Sequence, residues 1–261
     1  MTRVQIVGGG RMGEALVAGL IASGWATADQ IRVVEASADR RQFLAQHIDG
    51  LVVADAPSSA EGTVLAVKPA DVATVAAQVS QAGGGRLLSI AAGVTIATLE
   101  AAAGPGVAVV RAMPNTAAVV GSGASAIAGG SSATDDDLDW AEALLGSVGI
   151  VVRVAEGLID AVTAVSGSGP AYVFLVAEAM IEGGVLAGLS RDVATTLANQ
   201  TLLGSARMLI ETGSDAPTLR AAVTSPGGTT AAALRVLEER AVRAAFIDAI
   251  VAAKRRAGEL S

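Results

Sequence analysis

Near its start the chain carries Val4-Gln5-Ile6-Val7-Gly8-Gly9-Gly10-Arg11-Met12-Gly13, a short, largely apolar run that leads into a G-x-G-x-x-G pattern. The run predicts a buried strand, and the helical spacing of apolar residues that follows predicts a helix. A glycine-rich turn between a strand and a helix is typical of dinucleotide-binding domains. There Gly8 permits the tight turn, Gly10 lets the backbone approach a pyrophosphate, and Gly13 brings the helix close to the strand. The stretch therefore predicts a nucleotide-binding α/β domain.

The residues after the second predicted strand, 31–34, bear on the choice of nucleotide. Glu35 follows Gly13 by 22 residues, near the spacing of about 20 expected for the acid that meets the adenosine ribose. Its carboxylate favours NAD because it repels a 2′-phosphate. Ser37, Arg40 and Arg41 follow closely and could bind that phosphate. The residues themselves leave the choice between NAD and NADP open.

Strand and helix patterns alternate as far as Val154, after which strand patterns stop. Continuous apolar strands separated by helices indicate a parallel sheet covered on both faces. We therefore predict an α/β protein with an N-terminal Rossmann-type domain at 1–156, whose sheet is mostly parallel, and an all-helical C-terminal domain at 157–261. The helix expected from Pro170 is apolar nearly all round, which suggests burial in a homodimer. Further strands are expected at 51–53, 64–67, 87–90, 107–110, 124–128 and 150–154, and C-terminal helices at 158–165, 170–187, 193–212, 218–223 and 229–258.

The composition narrows the classes of function. The chain has 18 Lys and Arg against 25 Asp and Glu, a formal net charge of −7, and no long basic run. Nucleic acid and membrane are therefore not expected as partners. Cys is absent and His47 is the single histidine, so we expect neither a thiolate nucleophile nor a metal site. No signal segment precedes the first strand, and a soluble cytoplasmic protein is expected.

Three further turns follow predicted strands, at the edge where an open α/β sheet binds its ligand. Pro69 and Pro114 stiffen two of them, and Ala92 with Gly93 lets the backbone approach a nicotinamide. We expect the three turns to line a cofactor cleft together. They are Ala66-Val67-Lys68-Pro69, Ala91-Ala92-Gly93-Val94-Thr95 and Arg111-Ala112-Met113-Pro114-Asn115-Thr116.

A second anion site is predicted in Ser225-Pro226-Gly227-Gly228-Thr229-Thr230. Two glycines leave the backbone free to turn its N–H groups inward, and two threonines open a helix. The N-terminus of a helix carries unpaired N–H donors, which suit a carboxylate. The similar stretch Ser166-Gly167-Ser168-Gly169-Pro170 is equally compatible with a junction between domains and with a substrate contact.

The reaction class is suggested by the scarcity of proton donors. Carbonyl reduction needs a placed acid because an alkoxide develops, and the candidates are few: His47, Tyr172, Lys68 and Lys254. Hydride addition to a protonated C=N bond yields a neutral amine without such an acid. Positioning and carboxylate binding would then supply most of the catalysis. The composition thus favours an imine substrate.

In their order and spacing, these motifs resemble those of pyrroline-5-carboxylate reductases along essentially the whole chain. The resemblance implies NADPH- or NADH-dependent reduction of 1-pyrroline-5-carboxylate to L-proline, the last step of proline biosynthesis. It implies a homodimer built from the helical domain, often five dimers in a ring, with the site completed across the dimer. In one departure, Glu35-Ala36-Ser37 stands where NADP-preferring members often have small polar or basic residues.

The resemblance also implies roles for individual residues. Ser225 and the backbone N–H groups of Gly228 and Thr229, in the turn that contains Gly227, would hold the substrate carboxylate. Thr230, the expected catalytic residue, would hydrogen-bond the ring nitrogen. The expected cofactor-binding residues are Gly8, Gly10, Arg11, Met12, Gly13, Glu35, Ser37, Val67, Lys68, Pro69, Ala92, Gly93 and Asn115.

Two other functions stay open on the sequence. A 3-hydroxyacid-type dehydrogenase shares the two-domain plan but needs a lysine facing the nicotinamide, and the second domain offers Lys254 alone. A nucleotide-sensing protein would bind the cofactor without turnover. Lys254 placed in the cleft would favour the dehydrogenase, whereas cofactor binding without oxidation of NADPH on addition of pyrroline-5-carboxylate would favour the nucleotide-sensing protein.

Overall fold

The computed structural model describes residues 2–260 and divides them into two compact units. The first unit consists of two segments, the residues up to Ser168 and those from Ala253 onwards. The second unit is Gly169–Ala252. The first break lies later than the sequence boundary at 156/157. Ile159 is buried with Ile96 and residues of the sheet, so the first turns of the helical region still pack on the nucleotide-binding unit.

The first unit is built on one eight-stranded sheet of order β3-β2-β1-β4-β5-β6-β7-β8. Strands β1 to β6 pair in parallel, β7 is antiparallel to β6, and β8 is parallel to β7. The predicted α/β class and mostly parallel sheet are thus confirmed. The strands are β1 Val4–Val7, β2 Ile31–Val34, β3 Val52–Ala54, β4 Gly62–Leu65, β5 Arg86–Ser89, β6 Val109–Met113, β7 Gly123–Gly129 and β8 Gly149–Arg153.

Helices cover both faces of this sheet, as its apolar strands require. Side chains of α1 (Arg11–Ala22), α2 (Ala38–His47) and α5 (Asp135–Gly146) share one buried cluster with Val4 and Ile6. Side chains of α3 (Val72–Gln81) and α4 (Ile96–Ala103) share a second with Val7 and Leu65. Val4 and Ile6 point to one face and Val7 to the other, which is the period-2 alternation of a strand.

The rest of the chain is helical. After β8 come α6 (Ile159–Val162) and a π-helical turn at Thr163–Gly167. The remaining helices are α7 Gly169–Leu186, α8 Arg191–Glu211, α9 Ala216–Ala222, α10 Thr229–Glu239 and α11 Val242–Gly258.

One predicted helix, 229–258, is wrong as a single element. The structure divides it into α10 and α11 at Arg240 and Ala241. Ala241 has φ 53°, a left-handed conformation that ends a helix. Because Ala is among the best helix formers, the sequence at this point carries no signal for a break.

The helical region exposes much apolar surface on a single chain. The continuous helical stretch Glu156–Leu186 is long and apolar enough to cross a bilayer by length and composition, and 6% of its most apolar window is buried. Phe174 and Leu175 on α7 are 63% and 64% exposed. Exposed apolar side chains that form a large patch mark an interaction site, and α7 is the candidate for one here.

Candidate active site

The predicted cofactor turns meet at one edge of the sheet. Strand β1 pairs with both β2 and β4, so the strand order reverses beside β1, and ligands of open α/β sheets bind at such a reversal. A cavity of about 260 Å³ opens there. It brings together Met12, Val67 and Asn115, three of the predicted cofactor residues. Its lining is Met12, Ala66, Val67, Ile90, Met113, Pro114, Asn115, Thr116 and Gly167.

The three glycines of the G-x-G-x-x-G pattern have three different environments. Gly8 has φ 108°, and a Cβ atom there would lie 2.4 Å from the Ala66 carbonyl oxygen. A Cβ atom at Gly13 would lie 2.1 Å from the Gly8 carbonyl oxygen, whereas one at Gly10 would meet nothing within 4 Å. Helix α1 begins after Gly10 without a side-chain cap. No capping side chain therefore occupies the first helical N–H groups, which suits them to an anion.

Glu35, expected at the adenosine ribose, accepts two backbone hydrogen bonds. Its Oε2 accepts from the Gly9 N–H at 2.9 Å, and its Oε1 accepts from the Ser37 N–H at 2.8 Å. Ser37 in turn caps α2, its Oγ accepting from the Arg40 N–H at 3.3 Å. The carboxylate thus holds the glycine turn against the end of β2, and further lone pairs remain for a ribose hydroxyl.

Arg41 is also engaged. Its Nη1 donates to the carbonyl oxygens of Glu35 and Ala36, each at 2.7 Å. This anchors the guanidinium at the end of β2, beside Glu35.

The turn after β5 places backbone at the surface of the sheet edge. Ala92 is exposed, and Gly93 has φ 75°, a conformation that favours glycine. A Cβ atom at Gly93 would lie 2.8 Å from the carbonyl oxygen of Leu260, so the end of the chain lies against this turn. Lys68 and Pro69, at the start of a 3-10 turn after β4, are exposed.

Both the nitrogen and the oxygen of the Asn115 side-chain amide form hydrogen bonds within the protein. Its Nδ2 donates to the Ser166 carbonyl at 3.0 Å, and its Oδ1 accepts from the Ala124 N–H at 3.1 Å. Asn115 therefore joins the end of β6 to the π-helical turn, and it holds Gly167 of that turn beside the cavity. Gly167 and Ile90 line the cavity although the sequence did not assign them to the cofactor.

A partly buried ion pair between Arg111 and Glu156 was not predicted. Arg111 on β6 is 5% exposed, and its Nη1 lies 2.9 Å from Oε1 of Glu156. The same oxygen accepts from the Ile96 N–H at 2.7 Å. Glu156 thereby joins β6, the start of α4 and the start of the helical region, contacts between residues far apart in sequence.

The predicted carboxylate site lies in the second unit, at the N-terminus of α10. The Gly228 N–H donates to the Ser225 carbonyl at 3.0 Å, with φ 69° at Gly227. Pro at the second position and a left-handed Gly at the third are typical of a type II turn. Gly228 precedes the helix without a side-chain cap. The Gly228 N–H closes the turn, which leaves the N–H groups that follow as the donors for an anion.

Among residues 2–260, no group of three or more His, Asp or Glu side chains is arranged to hold a metal ion. The helix starts at α1 and α10 have no side-chain cap, so their backbone N–H groups are suited to binding anions.

Two family models match the chain. Residues 3–93 match NADP oxidoreductase, coenzyme F420-dependent, and residues 156–260 match pyrroline-5-carboxylate reductase dimerisation. The pyrroline-5-carboxylate reductase of Mycobacterium tuberculosis is 47% identical over 100% of this chain and 97% of its own length. That of Synechocystis is 46% identical over 99% of this chain and 98% of its own length.

Solved structures give the same result. The pyrroline-5-carboxylate reductase of Coxiella burnetii superposes with a TM-score of 0.94 at 38% identity, covering 100% of this chain and 98% of the other. The Plasmodium falciparum enzyme, crystallised with NADP bound, superposes with a TM-score of 0.84 at 28% identity, covering 99% and 98%.

Proposed function

The chain belongs to the pyrroline-5-carboxylate reductase family, and we propose that its two helix N-termini, at α1 and α10, bind the two anionic groups of the reaction. The protein is an oxidoreductase that uses NADP and reduces 1-pyrroline-5-carboxylate to proline. The reduced nucleotide supplies the hydride. The residues of this chain bind, orient and screen the two reactants.

The first helix N-terminus suits the nucleotide. The open backbone at Gly10 and the uncapped start of α1 leave N–H donors for a pyrophosphate. Met12, Val67 and Asn115 border the cavity beside it, which has the mixed apolar and polar lining of a small-molecule site. We assign the pyrophosphate to the Gly8–Gly13 turn, the adenosine ribose to Glu35 and Ser37, and the nicotinamide to Ala92 and Gly93.

The second helix N-terminus suits the substrate carboxylate. The uncapped start of α10 and the hydroxyl of Ser225 supply donors, and the type II turn fixes the backbone before the substrate arrives. In this assignment Gly227 and Gly228 shape the seat, the Thr229 N–H donates to the carboxylate, and the Thr230 hydroxyl hydrogen-bonds the ring nitrogen. Orientation of the C=N bond and electrostatic stabilisation then provide the rate enhancement.

The protein forms a homodimer through its helical region. The match to the dimerisation family over 156–260 and the exposed apolar side chains of α7 support this assembly. We further propose a ring of five such dimers as the complete assembly, and the cytoplasm as the location.

The observation that carries the proposal is the pair of uncapped, glycine-preceded helix N-termini in a chain of this family. It is tested by following NADPH absorbance when pyrroline-5-carboxylate is added to the purified protein. We expect oxidation that saturates with substrate, and a parallel run with NADH gives the cofactor preference. Dinucleotide binding without any oxidation would instead indicate a nucleotide-sensing protein.

A further inference from the structure

The middle glycine of the first turn, Gly9, is held by contacts from outside the turn. A Cβ atom there would lie 2.7 Å from Cδ1 of Leu44 on α2 and 3.3 Å from Cγ1 of Val33 on β2. Its N–H donates to Glu35 at 2.9 Å, and its carbonyl oxygen accepts from Nε of Arg40 at 2.6 Å. Both peptide groups that include Gly9 are therefore fixed by residues of β2 and α2.

Arg40 is itself held on two sides. Its Nη2 pairs with the carboxylate of Glu14, and its guanidinium lies over the Phe43 ring at 4.8 Å from the centroid. The Arg40 and Glu14 side chains are 27% and 38% exposed, so solvent screens the pair only in part. We call Glu35, Arg40 and Glu14 together the Gly9 brace.

The Gly9 brace determines where the Gly10 N–H points. In a planar trans peptide the carbonyl and the N–H lie on opposite sides. A Gly9 carbonyl drawn towards Arg40 therefore turns the Gly10 N–H away from Arg40. Space is open beside the Cα of Gly10, where a Cβ atom would meet nothing within 4 Å. That open space is the seat assigned to the pyrophosphate.

Arg40 also neutralises an acid at this seat. Glu14 lies in the first turn of α1, where an unpaired carboxylate would oppose the binding of a second anion. The ion pair with Arg40 removes most of that repulsion. Loss of Arg40 would thus misorient one N–H donor and expose one negative charge, and both effects act on the pyrophosphate.

We propose that Arg40 is a positioning residue for the pyrophosphate and does not bind the 2′-phosphate of NADPH. The pyrophosphate is common to NADH and NADPH, so Arg40 contributes equally to the affinity for both. This inference rests on the dinucleotide site of the proposed function. Gly9 and Glu14 already engage Nε and Nη2 of Arg40, so a role at the 2′-phosphate would fall to Nη1.

The test is calorimetric binding of NADPH and of NADH to Arg40→Met, without substrate. The lost charge-assisted hydrogen bonds predict affinity about tenfold weaker for both nucleotides, with the ratio of the two dissociation constants changed less than about twofold. Arg40→Lys, which restores the charge beside Glu14 without the forked donor, should recover part of the loss. If Arg40→Met does not fold, Arg40→Lys alone tests the ratio.

Arg86→Met is the matched control. Arg86 also forms ion pairs, with Asp136 and Asp137, and also lies over an aromatic ring, that of Trp140 at 5.5 Å. It stands at the amino end of β5, the opposite edge of the sheet from the glycine turn. Its replacement should lower the melting temperature to a similar degree and leave both dissociation constants unchanged.

Two outcomes would contradict the inference. In the first, Arg40→Met weakens the affinity for NADPH about tenfold more than the affinity for NADH. In the second, it leaves both affinities unchanged. Adding Glu14→Gln to Arg40→Met removes the exposed charge and should recover part of the affinity for both nucleotides. Because binding is measured without pyrroline-5-carboxylate, a failure of catalysis does not affect this test. If the wild-type protein binds neither nucleotide, the result contradicts the proposed function itself.

Discussion

Gly10 and Gly13 belong to one sequence pattern but serve different purposes. The backbone at Gly10, φ −69° and ψ −172°, suits alanine, so Gly10→Ala should fold normally and place a methyl group in the pyrophosphate seat. At Gly13 a methyl group would overlap the Gly8 carbonyl oxygen. This overlap should destabilise the protein by about 2 kcal/mol or more.

The pair of variants is measured by thermal unfolding and nucleotide binding. Gly10→Ala should keep the wild-type melting temperature and bind NADPH at least about tenfold more weakly. Gly13→Ala should melt well below the wild type. Equal melting temperatures for the two variants would contradict the separation of roles.

Thr230 is expected to act on turnover. Thr230→Ala should lower kcat at least about tenfold, equivalent to about 1.4 kcal/mol, because the ring nitrogen loses its hydrogen-bond partner. Cofactor affinity should stay the same. Thr230→Ser retains the hydroxyl and serves as the control, and wild-type turnover in Thr230→Ala would exclude the role.

Gly228 tests the carboxylate seat in the same unit. A Cβ atom at Gly228 would lie 2.4 Å from Oγ of Ser225, so Gly228→Val would displace that hydroxyl and crowd the start of α10. We expect the KM for pyrroline-5-carboxylate to rise more than in Thr230→Ala. An unchanged KM would place the carboxylate elsewhere.

At the scale of single residues, the sequence predicts the features that depend only on the spacing of residues along the chain. The glycine pattern and the acid at Glu35 follow from fixed offsets along a strand, a turn and a helix. The hydrogen bonds of Arg40 to Gly9 and of Asn115 to Ser166 join residues 31 and 51 positions apart. Such contacts depend on how α2 and the π-helical turn pack, and no local pattern encodes them.

Among the elements, the short helix α9 depends on a charged cap. Asp215 accepts from the Thr218 N–H at 2.9 Å, and hydrogen bonds from the side chain and backbone of Thr218 lower the pKa of Asp215 below its usual value. A lowered folded-state pKa gives stability that is complete above the ordinary aspartate value of about 3.9. That stability is lost as the pH falls through the lowered value.

Asp215→Asn isolates this dependence, because asparagine caps helices about as well as aspartate at any pH. Wild type and variant should melt at similar temperatures at pH 7. Between pH 5 and about 2 the wild type should lose more stability than the variant. Parallel melting curves across that range would show that the cap does not titrate.

The connection between α10 and α11 carries a strained residue. An alanine in the left-handed region costs about 1 kcal/mol, so Ala241→Gly should stabilise the protein by about 0.5 to 1 kcal/mol in urea unfolding. Ala245→Gly, at an exposed position inside α11, is the control and should destabilise by about 1 kcal/mol. Destabilisation by both would contradict the conformational argument.

Whether a segment is a helix or a strand can be predicted here because its apolar residues recur regularly over the whole segment. The strands lie within a few residues of their predicted positions, since each is an apolar run between turn residues. The break at Ala241 and the π-helical turn at Thr163–Gly167 are not marked by the helical pattern of the sequence. Neither Ala241 nor Thr163, where the α-helical pattern changes, is Pro or Gly, although Gly167 ends the π-helical turn. The sequence could therefore not place either change.

For the whole molecule, the exposed apolar face of α7 should decide the oligomeric state. Phe174→Glu places a charge on that face and should shift sedimentation from dimer or larger to monomer at micromolar concentration. Ile150→Glu, on the equally exposed strand β8, is the matched control and should leave association unchanged. If Phe174→Glu remains a dimer, the interface lies on another face.

The return of the chain to its first unit at Ala253 bears on the order in which the protein is made. A ribosome synthesises the whole helical unit before it adds the residues that lie against the Gly93 turn. The nucleotide-binding unit therefore completes its contacts only after the segment from Ala253 has been translated. A nascent chain arrested before Ala253 would carry the glycine turn and most of the sheet while Gly93 still lacks its neighbour.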